Sequence, residues 1–94
     1  MKPKKRHPAT SGVLKNLGLR IKEIRLEAGL TQEDLSAKLK MLLPNYARIE
    51  QGRMNVTVDT LVRLSKGLGV EIGEFFAKPK VRKARVGRPP KSRS

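Results

Sequence analysis

Apolar residues along this chain recur at helical spacings, and no stretch alternates convincingly as a strand would. Leu14, Leu17, Ile21, Ile24 and Ala28 follow one another at intervals of three and four, which predicts one face of an amphipathic helix. Gly29 supplies its stop. Thr31 and Asp34 have the spacing of a capping box, with Leu30 and Leu35 as the flanking staple. Gln32, Glu33 and Asp34 fill the first turn, where negative charge suits the helix dipole. This second helix turns Leu35 and Leu39 inward and ends near Leu39 or Lys40. A third helix is expected from Pro44, whose fixed φ suits a helix start, to about Gln51, with Gly52 ending it. Ile49, Tyr46 and Ala47 would pack inward. Thr57 caps a fourth helix, with Val56 and Leu61 as staple, Asp59 in the first turn and Gly69 as the stop. Leu61, Leu64, Ser65 and Leu68 form its inner face, and Gly67 weakens it by about 1 kcal/mol relative to alanine. Val70, Ile72, Phe75 and Phe76 predict a fifth, short helix that closes the core.

These elements make an all-α body of about five helices over residues 13–77. With 94 residues, the chain has room for one small core and not two. Residues 1–12 and 78–94 show no apolar periodicity and carry prolines, so both are expected to be disordered tails. Charge follows the same division. The N-terminal arm carries +4, the body +2 and the last 17 residues +8, which together give the net +14. A nearly balanced body between cationic tails points to a polyanion, and nucleic acid is the commonest one. There is no cysteine. That removes disulfides, thiol nucleophiles and Cys-based zinc sites, and it fits a reducing, cytoplasmic setting. The single histidine, His7, lies in the basic arm, so no His-based metal site or triad is expected, and no cofactor is called for. The longest apolar run is three residues, far short of a membrane span, and no signal peptide is expected.

Two short helices joined by a tight turn inside such a body form a helix-turn-helix. The residues permit a name. Leu-Gly-Leu-Arg-Ile-Lys-Glu-Ile-Arg (17–25), Gly-Leu-Thr-Gln-Glu-Asp-Leu-Ser-Ala-Lys-Leu (29–39), Arg-Ile-Glu-Gln-Gly (48–52) and Thr-Leu-Val-Arg-Leu-Ser-Lys-Gly-Leu-Gly-Val (60–70) together resemble the Cro/C1-type (XRE-family) helix-turn-helix domain, a lambda-repressor-like fold. The resemblance covers about 60 of the 94 residues. It implies double-stranded DNA as partner, a recognition helix over about 43–51 in the major groove, and a homodimer on inverted half-sites. Leu43, Pro44, Asn45 and Arg48 would then face base edges, with Arg48 suited to guanine and Asn45 to adenine or a phosphate. Gln32, Lys40, Arg53 and Asn55 would hold phosphates, and the family position of Gln32 also braces the recognition helix. Arg25 and Glu50 match a structural ion pair between the first and third helices. One stretch departs from the family. Lys40 stands for the usual turn glycine, Leu42 for the polar cap, and Leu43 and Pro44 for hydrogen-bonding readers.

The C-terminal tail carries a second, weaker motif. Arg85-Val86-Gly87-Arg88-Pro89-Pro90-Lys91 resembles an AT-hook, in which Arg85, Gly87, Arg88, Pro89 and Lys91 would enter an A·T-rich minor groove. Three functions are expected to compete. A transcriptional regulator leads. A nucleoid-associated architectural protein for A·T-rich DNA follows. An antitoxin-type module, docking a small protein partner through Met41, Leu42 and Leu43, is the third. An enzyme is not expected, since the carboxylates fall in helix first turns or ion pairs and no base–nucleophile set is evident.

Overall fold

The structure, a computed structural model, describes residues 7–80. Four α-helices follow in order: α1 (Pro8–Glu27), α2 (Gln32–Lys38), α3 (Leu43–Glu50) and α4 (Val58–Leu68), then a 3-10 helix over Ile72–Phe76. Among the described residues there is no strand.

α1 begins at Pro8, six residues before Leu14, the first residue of its apolar face, and so inside the stretch expected to be a disordered arm. His7 caps it, its Nδ1 accepting from the Ala9 N–H at 3.0 Å, and Pro8 takes the first helical position. A proline there loses no intrahelical bond, so Pro8 starts the helix rather than breaking it. The helix closes at Gly29, which has φ +76°. Ala28, assigned to the inner face by its spacing, is instead the exposed C-cap.

α2 carries the full capping box. The Thr31 hydroxyl accepts from the Asp34 N–H, and the Asp34 carboxylate accepts from the Thr31 N–H, both at 2.9 Å. The exposed Asp34 carboxyl is held below its ordinary pKa by those bonds from Thr31, the backbone N–H first. α4 starts on the Thr57 hydroxyl, which accepts from the Thr60 N–H at 3.1 Å, and stops at Gly69 with φ +70°. Two cations reach helix-terminal carbonyls that the helices themselves leave unpaired. Lys38 Nζ donates to the Gly67 carbonyl at 3.2 Å, and the Arg63 guanidinium donates to the Leu39 carbonyl.

The core is one cluster. Ile21, Leu35, Tyr46, Ile49, Leu64 and Phe75 are its most deeply buried members, and Leu14, Leu17, Ile24, Leu39 and Leu61 complete it. The expected fifth α-helix is absent. Its residues form a 3-10 helix, and only Phe75 is inserted into the core, while Phe76 is 55% exposed. With Gly73 in a five-residue segment, two apolar side chains at adjacent positions cannot both face inward. Arg20 pins this segment to α1. Its Nε donates to the Glu74 carbonyl at 2.9 Å, Nη2 reaches the Glu74 carboxylate at 3.1 Å, and Nη1 reaches Glu23 at 3.2 Å.

Candidate nucleic-acid interface

α3 is mounted on α1 by a contact that tolerates no side chain. A Cβ on Gly18 would lie 2.5 Å from the carbonyl oxygens of both Ile49 and Glu50. Just beyond α3, Gly52 has φ +73°, and a Cβ there would meet the Lys15 Cα at 2.7 Å. The last turn of α3 therefore lies against the backbone of α1.

That turn also holds a buried carboxylate. Arg25 and Glu50 pair in two bonds, Nε to Oε2 at 2.6 Å and Nη2 to Oε1 at 3.2 Å, with side chains 7% and 4% exposed. Gln32 donates to Glu50 Oε1 at 3.0 Å, and the Tyr46 hydroxyl donates to Oε2. Arg25 Nη1 donates on to the Leu30 carbonyl at 2.8 Å. Four donor contacts fill the acceptor capacity of one carboxylate. Burial pushes the Glu50 pKa up, but the bonds from Arg25, Tyr46 and Gln32 outweigh it and hold the group below its ordinary value. The bond to Glu50 raises the Arg25 pKa further. Tyr46 is raised above its ordinary value by burial first and by Glu50 second. The network fastens α1, α2 and α3 at one point.

The outer side of α3 is different. Pro44 and Arg48 are exposed, Asn45 is half-buried, and Arg48 Nη1 donates to Asn45 Oδ1 at 3.2 Å. Leu43 is half-buried, so it offers less surface than its position suggested. Leu42, the N-cap, makes no side-chain cap bond and is 71% exposed. Lys40 occupies the turn with φ 54° and is exposed. Past α3, Arg53 and Asn55 are exposed, and Arg53 donates to the Gln51 side chain at 3.1 Å. The structure thus collects Pro44, Asn45 and Arg48 on one helix, with Lys40 before it and Arg53 and Asn55 after it. Gln32 stands apart from them, committed to Glu50. The AT-hook-like residues Arg85, Gly87, Arg88, Pro89 and Lys91 lie outside the described residues.

Three structural residues escaped the sequence reading. Gly18 carried no signal beyond being a glycine in a helix. Arg20 did carry one, since it falls in the buried register three residues after Leu17 and four before Ile24. The Tyr46 hydroxyl's partner was foreshadowed by the i, i+4 spacing to Glu50.

An all-helical scaffold that fastens one short helix from within and leaves its outer face polar and cationic defines a helix-turn-helix protein. Among the described residues, no group of His, Cys, Asp or Glu is placed to hold a metal ion, and no helix is long and apolar enough to cross a membrane. The chain belongs to the helix-turn-helix family, whose model matches residues 21–75. It is 34% identical over 61 residues to control protein C.MunI of a Mycoplasma species, which covers 64% of this chain and 82% of that protein. The uncharacterized HTH-type transcriptional regulator y4dJ of Sinorhizobium fredii is 39% identical over 56 residues, with 60% of this chain and 73% of that protein covered. The crystal structure of the restriction-modification controller protein C.AhdI from Aeromonas hydrophila superposes with TM-score 0.65 at 30% identity, covering 67% of this chain and 96% of that one.

Proposed function

We propose that α3 is a recognition helix that enters the major groove of double-stranded DNA and that the protein regulates transcription by occupying an operator. Membership of the helix-turn-helix family and the likeness to control proteins and transcriptional regulators support this reading. The observation that carries it is the contrast between the two sides of α3. The inner side is locked by the Glu50 network, and the outer side presents Asn45 and Arg48 to solvent with no acid among them. A rigid mount with polar side chains on the side away from it is what base readout requires.

Arg48 is assigned to guanine, Asn45 to adenine or a phosphate, and Lys40, Arg53 and Asn55 to phosphates on either side of the groove. Gln32 acts first as a brace, with its second amide hydrogen left to meet a phosphate. A homodimer on inverted half-sites about one helical turn apart is the expected assembly. The cationic tails add salt-dependent affinity in the cytoplasm, where the DNA lies.

The test is selection of bound duplexes from random DNA with the full chain. The natural chain is expected to enrich one inverted repeat. Arg48→Ala is expected to lose about ten-fold or more for that repeat and to relax selection at one base pair per half-site. Enrichment for A·T content alone, without a motif, would replace the regulator with an architectural protein.

A further inference from the structure

Leu42 breaks two local rules at once. An N-cap is the place for Ser, Thr, Asn or Asp, whose side chain satisfies an N–H of the first turn, and Leu42 makes no such bond. It also leaves most of a leucine in water, at 71% exposure, although its neighbour Met41 packs onto the core. Among the described residues, no side-chain bond caps this end of α3, and Leu42 stays outside the core cluster. Pro44, two residues on, is exposed as well. The leading end of α3 therefore presents an apolar pair, followed along the same helix by the polar pair Asn45 and Arg48.

The occupant of that apolar end follows from what a major groove contains. Base edges there offer donors and acceptors, and one apolar group, the C5-methyl of thymine. 5-Methylcytosine carries the same methyl at the same place. We propose that Leu42 and Pro44 form an apolar contact with pyrimidine C5-methyl groups and so select thymine, or 5-methylcytosine, at half-site positions adjoining those read by Asn45 and Arg48. The inference rests on the DNA-binding reading above. Lys40 lies before the pair and Arg53 beyond α3, so the cations assigned to phosphates flank the methyl contact in the chain. An apolar contact does not sense whether position 4 of the ring bears an oxygen or an amine. The methyl itself is the recognised group, and this makes the interaction responsive to cytosine methylation.

Replacing thymine by uracil removes that methyl and nothing else. The duplex enriched by the full chain is remade with thymine, uracil, cytosine or 5-methylcytosine at each pyrimidine of the half-site, and affinities are measured by titration. At one or two positions, thymine is expected to exceed uracil by about four-fold per methyl, and 5-methylcytosine to exceed cytosine by a similar factor. Leu42→Ala is expected to bring the thymine-to-uracil ratio at one of those positions to one. Leu42→Ser is expected to do the same while supplying the missing cap, so that lost discrimination cannot be charged to unfolding. Leu26→Ala, at a leucine on α1 that is 57% exposed, is expected to keep the ratio. Equal affinity for thymine and uracil duplexes at every position overturns the methyl contact and leaves the regulator standing; a protein partner would then be the occupant of this surface. A ratio that survives in both Leu42 variants overturns the assignment to this residue. Failure to enrich any duplex overturns both readings together.

Discussion

Alanine at Gly18 is the sharpest test of how α3 is held. In an open helix, exchanging glycine for alanine stabilises by up to about 1 kcal/mol, because alanine loses less backbone freedom on folding. At position 18 the new Cβ would stand 2.5 Å from the Ile49 and Glu50 carbonyl oxygens and 2.8 Å from the Glu50 carbonyl carbon, where ordinary contact begins at 3.4 Å. All three atoms are backbone, so no rotamer change relieves the overlap, and α1 and α3 must part by most of an ångström. Overpacking of this kind costs about 1–3 kcal/mol. The displaced turn also carries Glu50, so the 2.6 Å bond from Arg25 is disturbed with it. Because every overlapping atom is backbone, the cost belongs in the upper part of that range, about 2–3 kcal/mol, and the net expectation is a loss of about 1–2 kcal/mol after the propensity gain of about 1 kcal/mol is subtracted. For a domain of this size, that lowers Tm by roughly 4–8 °C per kcal/mol. Gly67→Ala is the internal control, since its Cβ would meet only Leu39 Cδ2 at 3.5 Å and Leu35 Cδ1 at 3.6 Å. Those are ordinary apolar contacts, and Tm should rise. Thermal and urea unfolding followed by circular dichroism measure both, and operator titration should show weaker binding for the Gly18 variant alone. A Gly18→Ala chain as stable as the natural one would refute the proposed mounting of α3 on α1.

Four further outcomes follow. The folded Glu50 pKa lies below its ordinary 4.5, so its contribution is fully present above about pH 4.5 and is lost as pH falls through the folded value. Glu50→Gln should be less stable at neutral pH and lose less on acidification, although Asp34 keeps some acid sensitivity in both chains; parallel stability–pH curves would contradict this. Tyr46, the only tyrosine in a chain without tryptophan, has its folded pKa raised above 10.0, so its contribution is present below pH 10 and is lost as pH rises. Tyrosinate absorbance should appear together with alkaline unfolding, and ionisation near pH 10 with intact helical ellipticity would show the phenol to be accessible. Lys40→Gly relieves a left-handed residue at φ 54° and should stabilise by about 1 kcal/mol, less the extra chain entropy of glycine. If Lys40 holds a phosphate, the same change should reduce the salt slope of operator binding by about one, and no rise in Tm would mean that the turn is not strained. Amide exchange should be fast at Leu43 and Asn45, which lack a cap bond, and slow from Tyr46 onward, whose N–H reaches the Leu42 carbonyl at 3.0 Å; equal protection at Asn45 would show that some other acceptor caps α3.

The helices were legible where local chemistry alone decides them. The Thr31 and Thr57 caps, the stops at Gly29 and Gly69, and the inward Leu35, Ile49 and Leu64 all follow from neighbours a few residues apart. The Arg25–Glu50 pair was legible only through a family resemblance, because nothing local links residues 25 positions apart. The errors share a cause. Residues 1–12 read as a disordered arm because their prolines were weighed as composition and not by position, yet Pro8 at a helix start breaks nothing. Phe75 and Phe76 read as equal core members because the pattern does not say which of two adjacent side chains turns inward. Gly18 was invisible in principle, since a requirement for the absence of a side chain leaves no apolar signature. The Gln32 bond to Glu50 shows the limit for the site itself. One amide has both a partner within the fold and a proposed partner on DNA, and the sequence does not rank them.

The two ends of α3 divide the demands on it. Its last turn has Gly18 beneath it, Gly52 beyond it and four donor contacts on Glu50, so the contacts that fix the helix are concentrated there. Its first turn has an uncapped leucine, a proline at the second position and a left-handed lysine two residues before Leu42. The uncapped leucine and the left-handed lysine are each locally unfavourable, and they occur together. A short helix bears such a start only if its other end is secured by tertiary contacts, since eight residues do not sustain a helix alone. The buried charge network is therefore more than a fastening of three helices. It frees the leading end of α3 from the need to stabilise itself, and the residues there can be chosen for what they touch outside the chain.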